Sequence, residues 1–124
     1  MNEHSYPTDQ TIKIPGVTKP IPIGSITHCK GDGNYTRVYL QGLQKPIIAT
    51  QTLKLFESQL PNFLRVSKST LINHQYIESV DRQPGGILEL YMTNASSVAV
   101  SRRRKQDIWN KLNQLTQFSA NNTN

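Results

Sequence analysis

Residues Phe63-Leu64-Arg65-Val66-Ser67-Lys68-Ser69-Thr70-Leu71-Ile72-Asn73 set a small cationic, hydroxyl-rich tip between two short apolar runs. Arg65 and Lys68 suit a phosphate or a guanine edge, and Ser67, Ser69 and Thr70 add hydroxyls. Lysine can donate to guanine O6 and N7 in a major groove. Lys68 is therefore the first candidate for a base contact, with a phosphate contact or a solvated lysine as the alternatives. Ser69 serves a phosphate or, by preference, its own turn. Arg65 either reaches phosphate or lies as a solvated edge residue. A second basic run, Ser101-Arg102-Arg103-Arg104-Lys105, follows another strand-like segment. Arg102 and Arg103 would open a helix whose N-terminus attracts phosphate. Three arginines there oppose the helix dipole, a local cost that an anionic ligand relieves. A solvated charge run is the bland alternative, and DNA is the preferred reading for Arg102. A third group, Asn34-Tyr35-Thr36-Arg37, follows a glycine turn. Asn34 suits that turn because asparagine tolerates positive φ. Tyr35 reads as a packed aromatic. Thr36 shares parity with Val38 and Leu40, so burial competes with a binding role. Arg37 lies on the opposite face, free for a backbone contact.

These groups sit on a 124-residue chain of formal net charge +6 and pI about 9.7, which fits one domain with a modest core. Residues 62–124 hold eight basic and four acidic side chains, against six and four in residues 1–61. That excess favours a polyanionic partner. The single cysteine, Cys29, excludes an intrachain disulfide and most metal-finger schemes. His28 beside it points to the other face of a strand, and neither has the further ligands a metal site needs. No apolar run reaches the roughly 18 residues of a membrane helix, and no signal peptide stands out. A cytoplasmic protein without a membrane partner is expected. Catalysis is not: there is no nucleophile–base pairing, no framed pair of carboxylates and no metal cluster. Gly31-Asp32-Gly33 lacks the Lys-Ser/Thr of a phosphate loop. No cofactor and no metal are expected. A small β module binding protein or single-stranded RNA is the second reading, with Tyr35, Tyr39, Tyr76 or Tyr91 as platforms.

The elements that must position the three groups follow from patterning. Residues 1–11 read as a disordered arm, 12–118 as the domain and 119–124 as a frayed tail. Pro15, Pro20 and Pro22 limit residues 12–23 to an edge strand or extended arm. Strands are expected at Ile26 to Lys30, Tyr35 to Leu40 and Lys45 to Ala49. Leu53, Phe56 and Leu60 predict a short helix over about 52–60, capped by Thr50 or Thr52 and ended near Pro61. Further strands are expected at Leu64 to Val66, Thr70 to Asn73, Tyr76 to Val80, Ile87 to Met92 and Ser97 to Val100. Leu88, Leu90 and Met92 share one face. Ser101 should cap a C-terminal helix over about 102–118. Its apolar stripe is Ile108, Leu112 and Leu115, with Trp109 and Phe118 beside it.

Five segments, in order, carry a family resemblance. They are Asp32-Gly33-Asn34-Tyr35-Thr36-Arg37-Val38, Thr52 to Leu60, Phe63 to Asn73, Tyr76-Ile77-Glu78-Ser79-Val80 and Val100-Ser101-Arg102-Arg103. Together, over roughly Pro15 to Leu115, the chain resembles a LytTR-type DNA-binding domain. The resemblance implies a mainly β domain of small packed antiparallel sheets. It also implies a bacterial transcription regulator whose loops, not a recognition helix, enter successive major grooves of promoter DNA. The targets would be short direct repeats, with a second copy on the tandem half-site. The DNA-binding residues it implies are Asn34, Tyr35, Thr36, Arg37, Arg65, Ser67, Lys68, Ser69, Arg102 and Arg103. Thr36 falls, within one residue, where the family carries a polar side chain that reaches DNA. Ser67 stands where the family usually has histidine; serine is shorter and cannot stack. Many members carry a receiver domain, whereas only a short arm precedes the match, so the chain resembles the stand-alone members. Whether a sensor kinase or another regulator controls it stays open.

Overall fold

Alternation decides which face of each strand is buried, and the resulting faces decide how the sheets stack. The computed structural model describes residues 10–115. The chain runs through β1 (Thr11–Ile12), β2 (Ile21–Pro22), β3 (Ile26–Asp32), β4 (Tyr35–Leu40), β5 (Ile47–Ala49) and α1 (Leu53–Gln59). It continues through β6 (Phe63–Ser67), β7 (Thr70–Asn73), β8 (Ile77–Gln83), β9 (Ile87–Met92), β10 (Ser97–Ala99) and α2 (Lys105–Gln114). The strands form three antiparallel sheets: β1-β2, β5-β4-β3-β7-β6 and β10-β9-β8. The mainly β architecture with one short and one C-terminal helix is as the sequence predicts. The expected arm up to residue 9, Phe118 and the tail lie outside the described residues, as does the last part of the expected C-terminal helix.

The β6–β7 pair is the wall between two cores. Phe63 and Leu71 pack into a first core with Ile26, Cys29, Val38, Leu53 and Phe56. Leu64, Val66 and Ile72 face the other way, into a second core with Leu88, Leu90, Met92, Ile108 and Leu112. Burial on both faces explains the adjacent apolar residues Phe63-Leu64 and Leu71-Ile72. The stripe expected on the C-terminal helix holds: Ile108 and Leu112 are buried, with Trp109 and Leu115 packed beside them. Thr52 caps α1 by accepting from the Leu55 N–H at 3.3 Å. Gly31 lets that helix approach β3, since a Cβ there would lie 2.9 Å from the Leu53 Cβ. Asn73 is fully buried; its amide donates to the Ile26 carbonyl (2.8 Å) and its oxygen accepts from Gln75 N–H (3.1 Å).

Several local expectations shift. Ser101 makes no side-chain cap, and Arg102–Arg104 form a 3-10 turn that leads into α2 instead of its first α turn. The Ser101 N–H donates to the Val66 carbonyl at 2.8 Å, which ties the start of this turn to β6. Tyr76 belongs to a 3-10 turn before β8, and β8 continues to Gln83, beyond the expected Val80. Gly33, not Asn34, takes the positive φ of the β3–β4 turn, at 63°.

Candidate nucleic-acid interface

Hydrogen-bond registers place the three sequence clusters along one edge of the molecule. β3 and β4 join through Gly33-Asn34, with Asp32 opposite Tyr35. At the same end Lys30 pairs with Thr70, and the Gly31 N–H donates to the Ser69 carbonyl at 2.8 Å. The Ser67-Lys68-Ser69 turn therefore sits beside the Asn34 turn. On its other side, the Ser101–Val66 hydrogen bond brings Arg102 next to Ser67. Neighbouring strands are about 4.8 Å apart, so three ladder steps from β4 to β6 span about 14 Å.

The β6–β7 turn has a built frame. Pairing shifts between Arg65 opposite Leu71 and Ser67 opposite Thr70, which leaves Val66 as the extra residue of a β-bulge. Such bulges re-aim the residues that follow. Arg65 ties the frame together. Its Nη1 donates to Glu57 Oε1 at 2.7 Å, its Nε to the Ser67 carbonyl at 3.0 Å, and its Nη2 to the Lys68 carbonyl. The Arg65 side chain keeps only 14% of its exposure. Arg65 is thus neither a solvated edge residue nor an open phosphate ligand. It braces the turn. Ser67 also serves the turn, since its Oγ accepts from the Ser69 N–H at 3.3 Å. Lys68 and Ser69 are exposed. The Lys68 ammonium has no acidic partner among the described residues.

At the β3–β4 turn, Asn34, Tyr35 and Arg37 are exposed, and Tyr35 at 52% is not the packed aromatic its residue type suggested. Arg37 lies 3.6 Å from Asp32, both with exposed side chains, a pair of small energetic weight that a phosphate could replace. Thr36 is the clear departure. It is fully buried, and its hydroxyl donates to the Gln51 carbonyl at 2.7 Å. It anchors the loop before α1 and has no surface to offer DNA. The parity with Val38 was the signal for that outcome. Arg102 and Arg103 are exposed and free of carboxylate partners among the described residues.

One candidate went unnoticed in the sequence. Lys30 is exposed and lies cross-strand from both Arg37 and Thr70. Counting back from the Gly33-Asn34 turn in step with Arg37 would have found it. Of the four tyrosines named as platforms in the second reading, Tyr35 is exposed and the other three have partners in the fold. Tyr39 stacks on His28 with ring centroids 4.2 Å apart, Tyr76 donates to the Gly24 carbonyl, and Tyr91 accepts from Gln83. Burial, aided by the Lys30 cation, lowers the His28 pKa below its ordinary 6.5. Burial also lowers His74, against a raising hydrogen bond with the Asn62 carbonyl. The buried Cys29 thiol is pushed up to about 12 by desolvation. Among the described residues no three His, Cys, Asp or Glu side chains converge as a metal site. No helix there is long and apolar enough to cross a membrane.

Comparison with known proteins identifies the family and the fold. An uncharacterized HTH-type transcriptional regulator of Staphylococcus aureus (strain NCTC 8325 / PS 47) is 38% identical over 63 residues. The match covers 48% of this chain and 43% of that protein, so it spans less than half the relative's length. The counterpart in the bovine strain RF122 / ET3-1 is 36% identical over 63 residues, with the same coverage of both chains. In fold, the chain is similar to a LytTr DNA-binding domain from Bacillus cereus, with a TM-score of 0.61 and 23% identity. That match covers 88% of this chain and 96% of the other. The family model for the LytTr DNA-binding domain matches residues 16–113, which takes in all three clusters and most of both cores that support them. With most of its length matched and its strands stacked in the same fold, the chain belongs to the LytTr family of DNA-binding domains.

Proposed function

We propose that this chain is a sequence-specific transcription regulator that binds double-stranded promoter DNA through one edge of its sheets. One observation carries the reading: Lys68, without an acidic partner among the described residues, stands on an arginine-braced turn between the exposed Asn34-Tyr35 turn and exposed Arg102. Arginine and lysine neutralise phosphates, and Lys68 reads a base edge in a major groove. Asn34, Tyr35, Arg37, Lys30, Ser69, Arg102 and Arg103 form the remaining contact set. Arg65 and Ser67 act through the shape of the turn, and Thr36 acts through the core. A short contact edge suits short half-sites, so two copies on a direct repeat are expected in the cytoplasm of a bacterial cell.

Selection of bound duplexes from a random pool, followed by titration at several salt concentrations, tests the reading. A recovered repeated motif with salt-dependent affinity is the expected result. No enrichment of any motif, or enrichment of single-stranded RNA over duplex, would overturn it.

A further inference from the structure

Beyond the three clusters, the β8–β9 turn and the start of α2 enclose another cationic site. A cleft of about 270 Å³ is lined by Arg82, Gly86, Leu88, Lys105, Gln106 and Trp109. Both cations are held in place. The Arg82 guanidinium lies 4.1 Å from the centroid of the Trp109 ring, a cation–π arrangement. Lys105 Nζ donates to the Gly86 carbonyl at 2.7 Å. Gly86 permits this, because it has φ +79° and a Cβ there would lie 2.9 Å from that Nζ. Neither cation has a carboxylate partner among the described residues. Asp81 and Glu89 are close in sequence, but they pair with each other across β8 and β9, one residue out of step with Arg82 and Leu88. They point to the other face of the sheet. Two ordered cations beside a small cleft with no acid among its described lining residues match one tetrahedral oxyanion, with arginine supplying a planar fork.

Position selects the source of that anion. The Val100 N–H donates to the Leu88 carbonyl and the Ser101 N–H to the Val66 carbonyl, each at 2.8 Å. Residues 100–101 therefore stitch β9 to β6 at the end that carries the DNA-facing turns. From β4 the steps run through β3, β7, β6, this stitch, β9 and β8. At about 4.8 Å each, six steps make a curved path of about 29 Å. The first three clusters occupy only about 19 Å of it. One helical turn of DNA is about 34 Å. We propose that Arg82 and Lys105 hold a backbone phosphate of duplex DNA, a fourth contact that brings the edge close to one turn in length. This inference rests on the reading of that edge as the DNA surface.

Trp109 is the single tryptophan of the chain, so its emission reports on this cleft. The test titrates random-sequence duplex into the wild type and into the Arg82→Gln/Lys105→Gln double variant. A saturable emission change is expected in the wild type and not in the variant. Loss of one or two phosphate contacts should make the slope of log K against log salt shallower by roughly 0.9 to 1.8. At 0.15 M salt that corresponds to roughly a five- to thirtyfold loss of affinity. The preference for promoter over random duplex should stay unchanged. Lys105→Gln alone leaves the Arg82–Trp109 stack in place and should remove about 0.9 of slope if the double variant does not fold. An unchanged salt slope in the folded variant, or an emission response equal to the wild type, overturns the proposal. Absence of any sequence preference, with the emission response and slope change intact, would instead sink the specificity reading and leave the phosphate site standing.

Discussion

The Lys68 ammonium projects from a turn shaped by Arg65, whose guanidinium reaches Glu57 and two carbonyl groups of that turn. The two cations should therefore fail differently. Lys68→Ala should leave stability unchanged and weaken cognate DNA binding by roughly 1–3 kcal/mol if the ammonium reads a base. An equal loss on random duplex, measured by titration, would make it a phosphate contact. Arg65→Ala leaves the Glu57 carboxylate and the turn carbonyls without their donor. It should lower unfolding free energy by about 1–3 kcal/mol and weaken binding to cognate and random duplex alike. Denaturant melts beside the same titrations separate the two outcomes. The cysteine makes a third case. With its thiol buried and pushed up to about 12, Cys29 should resist thiol reagents at neutral pH until the domain unfolds.

At the scale of elements, the contact between α1 and β3 is set by Gly31. A methyl group there would press on the Leu53 Cβ at 2.9 Å, closer than real Cβ contacts come. Gly31→Ala should cost about 1–3 kcal/mol by overpacking, read as a lower melting midpoint. Because Gly31 also bonds Ser69, the same change should loosen the Lys68 turn. The elements themselves were largely legible. Alternation in Tyr35–Leu40 and Ile87–Met92 gave strands with those bounds, because a half-buried pleat demands period two. Thr52, Leu53, Phe56 and Leu60 gave α1 and its cap. The bulge at Val66 and the 3-10 turn at Arg102–Arg104 were not legible, since both sit where the chain bonds across the fold, Val66 to Ser101 and β6 to β7, and no local pattern marks such pairings.

Across the whole molecule, two half-buried histidines set a pH dependence. Burial lowers His28 and His74 below 6.5 in the folded state. The unfolded chain then binds protons that the native state refuses. Their contribution is complete above the unfolded value near 6.5 and is lost as pH falls through the lower folded values. The melting temperature should fall between pH 7 and 5, and His28→Gln should flatten part of that fall. Composition and motif order by themselves determined the cationic character, the β-rich class and the family, because charge, period and local spacing are written residue by residue. They also named Lys68, Arg102 and the Asn34 turn. Only the tertiary structure decided that these three share an edge, that Thr36 is buried under Gln51, and that Arg65 serves the turn. Those outcomes turn on which strands pair and on where a side chain finds its partner across the fold, and neither is encoded within any one segment.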